Sequence, residues 1–215
     1  MRYKRNQVEQ AICQTFRAEG ARADELKLRL KRLLVTDRRL ARGKGAGKRD
    51  GRGYAFYSQD APGSGTEVMF TGYEGFALLA GLMMLEHGMP QADVVGVLRK
   101  VRSDLERAHR ETLRKDQVLF DQDAVRRMAK PGMIATDNTA PVFMAFVRTT
   151  GSAVNVGEVT ELITVRRGHD DLSAFVRKHA VPGLGATFFD FTGLMHRLAT
   201  SLPKTRPVKR GRPTA

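Results

Sequence analysis

The chain has 215 residues, 41% of them hydrophobic, with a net charge of +14, one cysteine and no tryptophan. That length can bury a full core in one or two domains, while the lone Cys13 excludes an intramolecular disulfide or a cysteine-rich zinc site and fits a reducing compartment. The opening MRYKRNQVEQ has charge but no apolar stretch, and the longest apolar run, FALLAGLMML at 76–85, is too short for a bilayer, so a cytoplasmic protein with no signal peptide and no membrane partner is expected.

The charge is segregated. Residues 1–53 carry 16 Lys+Arg against 6 Asp+Glu, residues 54–203 carry 16 against 17, and residues 204–215 carry 5 against 0. A near-neutral body with basic ends is a polyanion-binding footprint, with nucleic acid ahead of a membrane surface.

Residues Arg5 to Arg17 predict a first helix, with Val8, Ile12 and Phe16 on one face, Asn6 as cap and Glu9 completing a capping box. Ala23 to Arg42 predicts a second. Leu26, Leu30, Leu33 and Leu34 share one face, and Lys27, Lys31, Arg32, Arg38 and Arg39 spread over the other. It has no Trp or Phe for a membrane interface. Two helices with a tight link, the second basic, outline a helix-turn-helix. The stretch GKGAGKRDGRG at 43–53 lacks the Ser/Thr, the preceding strand and the following helix of a nucleotide-binding P-loop, and reads as a basic linker. Tyr54–Ser58 and Thr66–Thr71 read as the strands of a hairpin around QDAPGSG, the place and form of a wing.

Gly72 to His87 is apolar nearly all round and predicts a buried helix stopped by Gly88. Gln91 to Lys115 predicts one long helix, with Val94, Leu98, Val101, Leu105 and Ala108 as a heptad seam for a homodimer; the competing reading is a core helix. A short helix with Asp121 as cap follows, broken by Lys130-Pro131-Gly132. The rest predicts strands at Pro141–Thr149 and Gly157–Arg166, a helix at His169–His179 opened by Asp170 or Asp171, and a strand or turn then a helix over Thr187–Leu202. Phe188, Phe191, Leu194, Met195 and Leu198 are expected in its core. The fold class expected is therefore mainly α with a β-hairpin wing, a winged helix-turn-helix, followed by a small α+β module. The domains expected are 1–118, 119–203 and a disordered basic tail at 204–215.

The order helix, basic helix, hairpin, buried helix, long helix, with the segment FTGYEGFALLAGLMMLEHGMPQADVVGVLRKV, resembles the DNA-binding half of the mercury-resistance regulator (MerR) family over about residues 5–115. The resemblance implies a recognition helix in the major groove, a wing on the DNA backbone and an antiparallel dimer coil. The cysteines of the family's metal sensors are absent. Separately, Lys209, Arg210, Gly211, Arg212 and Pro213 resemble an AT-hook core. Such a core lays two arginines along the narrow A·T minor groove, with glycine allowing close approach and proline holding the chain extended.

No His pair has metal-ligand spacing, His169-Asp170-Asp171 reads as a helix cap, and no GxSxG elbow signals a catalytic serine. The expectation is a dimeric, cytoplasmic, nucleoid-associated transcription regulator with double-stranded DNA as partner, no cofactor, no metal and no enzymatic activity. Lys27, Arg29, Lys31 and Arg32 are the candidates for base or phosphate contact; Arg38, Arg39, Arg42, Lys44, Lys48, Arg49 and Arg52 would hold phosphates. A ligand or protein partner at residues 140–203 is left open. An architectural DNA-binding protein and an RNA-binding factor are the alternatives, the latter disfavoured because no stacking aromatics interleave the cations. An enzyme acting on a polyanion lacks a catalytic pair.

Overall fold

The computed structural model describes residues 1–42, 53–58, 68–120, 122–128, 140–150, 159–181, 183 and 185–206. Among them the chain is mainly helical with two small antiparallel sheets. It divides into two compact units, Met1–Arg102 with Arg197–Ala215, and Ser103–His196. The division falls ahead of the boundary expected at residue 118, and the chain rejoins the first unit after His196.

In the first unit β1 (Tyr3–Lys4) runs directly into α1 (Arg5–Thr15). The Lys4 N–H donates to Gln7 Oε1 at 3.0 Å, so the helix is capped two residues earlier than Asn6, and Glu9 pairs instead with Arg5 at 2.6 Å. Arg17 ends the turn at φ 52°, with Arg17 N–H donating to Gln14 O and Ala18 N–H to Cys13 O, a Schellman closure made without glycine. Then comes α2 (Gly20–Arg42), whose Leu26, Leu30, Leu33 and Leu34 are all buried.

β2 (Met69–Phe70) pairs with β1, Tyr3 opposite Phe70 and Lys4 opposite Met69. The expected hairpin is therefore corrected: Tyr54–Ser58 forms no strand, and no wing hairpin exists among the described residues. The QDAPGSG turn lies outside them. α3 (Gly72–Glu86) opens on a reciprocal cap, Glu74 N–H to Thr71 Oγ1 at 3.2 Å and Thr71 N–H to Glu74 Oε2 at 2.6 Å, and is buried from Tyr73 through Leu82. A Cβ on Gly81 would lie 3.1 Å from Leu33 and 3.4 Å from Leu98 and Val94. This glycine lets α3 approach α2 and α4 (Gln91–Lys100).

The single long helix is corrected as well. It breaks at Val101 (φ −95°, ψ 4°) into α4 and α5 (Arg102–Thr112). Val94, Leu98, Val101, Leu105 and Ala108 are all buried in the single chain, so the would-be dimer seam is spent on the chain's own packing.

In the second unit α6 (Gln122–Met128) follows a 3-10 turn at Gln117–Phe120; its expected cap, Asp121, and the break at Lys130-Pro131-Gly132 lie outside the described residues. β3 (Val142–Thr150) is the central strand, flanked antiparallel by β4 (Val159–Arg167) and β5 (Ala186–Asp190). Phe143, Ala145 and Val147 of β3 pack with Leu172 and Phe175 of α7 (Gly168–His179). Leu194 is only half-buried, while Phe191, Met195 and Leu198, around and in α8 (Thr192–Ser201), which runs on into the first unit after His196, are buried as expected. Phe188 is not: it stands 55% exposed on the edge strand β5.

Candidate nucleic-acid interface

α2 sets out most of the candidate cations. Its leucine stripe packs inward, which fixes the opposite side as solvent-facing: Lys27, Lys31, Arg32 and Arg39 are exposed, Arg29 and Arg38 half-buried. The structure separates them into two groups. Lys27 Nζ lies 2.9 Å from Asp24 Oδ1, whose carboxylate raises the ammonium's pKa, and Arg29 is paired with Glu25. The first turns are thus locally neutralised. Lys31, Arg32 and Arg39 have no ion pair among the described residues. The cationic density of α2 therefore sits in its second half.

One acidic residue remains there, and it is turned inward. Asp37 continues the leucine stripe at i, i+3, i+4, i+7 from Leu30 and is 0% exposed. Its carboxylate accepts from the N–H groups of Ala55 and Phe56, each at 3.1 Å. It also accepts from Arg99 Nε at 2.8 Å and Nη2 at 2.6 Å. A carboxylate is buried at acceptable cost only when paired and hydrogen-bonded, and here both conditions hold.

Glu74, also buried, takes the N–H of Ser58. The Arg102 guanidinium donates to the carbonyls of Tyr54 and Tyr57, the latter at 2.8 Å, and sits 5.5 Å over the Tyr73 ring. Side chains from α2, α3, α4 and α5 thus do for Tyr54–Ser58 what a neighbouring strand would have done. Sequence reading missed these four residues. The available signals were an aspartate in register with buried leucines and a glutamate opening an otherwise apolar helix.

This anchoring gathers the basic segments. Arg38 lies 5.4 Å over the Tyr57 ring, Tyr57 is 5.8 Å from the Phe70 ring, and Phe70 stands opposite Tyr3. Gln7 Nε2 donates to the Thr205 carbonyl at 2.8 Å. Burial raises the Tyr57 phenol above its ordinary value, against the opposing charges of both Arg38 and Arg5. A run of contacts therefore links the end of α2, the start of α1 and the chain at Thr205. Arg2, Lys4, Arg5, Arg38, Arg39, Lys204 and Arg206 belong to these three places. Gln7 and Thr205, 198 residues apart in sequence, are brought into contact, and with them the basic residues that flank each in the chain. The Arg42 side chain, Lys44, Lys48, Arg49, Arg52 and the hook residues Lys209, Arg210, Gly211, Arg212 and Pro213 lie outside the described residues. The 43–52 stretch nevertheless starts at the end of α2 and finishes at the anchored segment.

Other titratable groups have structural settings. Cys13 is buried, and burial pushes its thiol up, the opposite of a reactive thiolate. In the second unit burial, aided by the nearby His196, lowers His109 to about 4. The expected cap is corrected: α7 starts at Gly168 with Arg167 as its N-cap and no side-chain cap, so Asp170 and Asp171 lie inside the first turn, where Asp171 accepts from the Arg167 N–H at 3.2 Å. Among the described residues no group of three or more His, Cys, Asp or Glu could hold a metal ion, and no helix is long and apolar enough to cross a membrane. No family model matches the chain, and neither a curated protein nor a solved structure matches it.

Proposed function

We propose that the chain binds double-stranded DNA and acts as a transcription regulator. The outward face of α2 enters the major groove, and the gathered basic segments grip phosphates beside it. The observation that carries this reading is the cation set of α2: Lys31, Arg32 and Arg39 face solvent, on the side opposite the buried leucines, with no ion pair among the described residues. A solvated helix face that needs only solubility intersperses both signs; this half of α2 turns its only carboxylate inward. Convergence of the basic termini supports the same reading, because it extends the patch beyond one helix. At ~1.5 Å per residue α2 is about 34 Å long, so its second half alone fills the reach of one groove.

Phosphate contacts would hold the duplex and α2 would read it. The basic tail, if it acts as a hook, adds a tethered minor-groove contact and raises avidity without a new fold. The deciding experiment is selection of bound fragments from a randomised duplex pool by the full chain, with structured and single-stranded RNA as competitors. Enrichment of a shared sequence supports a regulator. Binding without enrichment points to an architectural protein, and displacement by RNA but not by duplex DNA refutes the DNA reading.

A further inference from the structure

α2 also exposes two large apolar side chains, Leu28 at 47% and Val35 at 56%. They are one heptad apart, so they project within about 20° of each other, separated by ~10 Å of helix. Arg39 falls within about 30° of the line between them and Arg32 and Lys31 within about 50° on either side, whereas Leu26, Leu30 and Leu33 point to the far side. Exposed apolar residues scattered singly are ordinary. Two aligned on the crest of a solvent face, each flanked by cations, form a mixed surface.

That surface repels a second copy of itself by like charge. It suits a partner that is anionic at its rims and carries small apolar bumps between them. The major groove of A·T-containing DNA has this chemistry, with phosphates along both edges and thymine C5 methyls on its floor. An acidic partner helix would match one stripe, but it would leave the exposed Arg2, Lys204 and Arg206 uncovered.

We infer that Leu28 and Val35 contact thymine methyl groups in the major groove and so set a preference for thymines two to three base pairs apart. This rests on the DNA-binding reading above. Along the groove floor, ~10 Å corresponds to about that many base pairs, with Lys31 and Arg32 between the two contacts.

Deoxyuridine lacks only the C5 methyl and keeps the charge and hydrogen-bonding edges of thymine, which makes it the probe. The best duplex from the selection is made in thymine and deoxyuridine forms. Each is titrated with the full chain and with the Leu28→Ala, Val35→Ala double variant. Burying one methyl changes affinity about fourfold, so with two such contacts the wild type is expected to bind the thymine form roughly 16-fold more tightly. The double variant is expected to bind both forms alike, with an unchanged salt slope and an unchanged circular dichroism spectrum. The basic tail does not confound this, because the methyl lies in the major groove. Equal wild-type affinity for the two forms, with salt-dependent binding retained, overturns the methyl contact alone. Persistent discrimination by the double variant overturns its assignment to these side chains. Absence of salt-dependent duplex binding overturns both readings and leaves an acidic protein helix as occupant of the stripe.

Discussion

Replacing Lys31, Arg32 and Arg39 together by Gln tests the electrostatic core of the proposal. All three are exposed, and none has an ion pair among the described residues, so the fold loses little: surface changes of this kind stay within about 0.5 kcal/mol. Each phosphate contact removed should flatten the log–log dependence of affinity on salt by about 0.9, or about 2.7 for three. The same relation at 0.15 M salt gives an affinity loss on the order of 100-fold, shrinking toward nothing near 1 M. The assay is fluorescence anisotropy of a labelled duplex between 50 and 400 mM salt, roughly the range over which such slopes are resolved. Arg177→Gln with Lys178→Gln, two exposed cations at the end of α7, is the control for loss of charge elsewhere and should leave the slope alone. A triple variant with the wild-type slope, or a control that flattens it comparably per charge removed, would refute the assignment of the interface to α2.

Asp37→Ala strands Arg99 and two buried N–H groups, which should cost about 4 kcal/mol and lower the melting temperature by roughly 10 °C. A loss below about 1 kcal/mol would mean that Tyr54–Ser58 is not held as described. His109 has a folded pKa near 4, below its ordinary value, so the unfolded chain binds the extra proton first. Stability should therefore be fully present above about pH 6.5 and fall by up to about 3 kcal/mol as pH drops toward 4. His109→Gln should flatten that part of the denaturation-midpoint profile; an unchanged profile refutes the cause. Deleting residues 207–215 should weaken binding more on A·T-rich than on G·C-rich duplex; equal loss would leave the tail as bulk charge rather than a hook.

α2 was readable because a 3.6-residue apolar period over six turns is a local signal, strengthened by basic residues off the stripe. The buried α3, the β3–β4 pair and α7 were readable for the same reason: period and punctuation are written in adjacent residues. Tyr54–Ser58 was misread because alternating aromatics fit a strand and an irregular buried segment equally. What decides between them is donors and acceptors on Asp37, Glu74 and Arg102, 16 to 48 residues away. The break at Val101 has no glycine or proline to mark it, while Arg102 is drawn to the carbonyls of Tyr54 and Tyr57. Tertiary bonding there overrides an apolar pattern that runs straight through. For the interface, sequence located the cations but could not separate neutralised from available ones. That distinction depends on which carboxylates face out, as Asp24 does, and which face in, as Asp37 does.

The anchored Tyr54–Ser58 segment separates two properties that are usually entangled. Asp37 clamps the chain at Ala55 and Phe56 from inside, while Lys31, Arg32 and Arg39 stand on the outer side of the same helix, away from the core that α2, α3 and α4 share. Under the proposed function, grip on a polyanion is then tuned by point mutation on the outer side of α2, while stability is held by Asp37 and the leucines on the inner side.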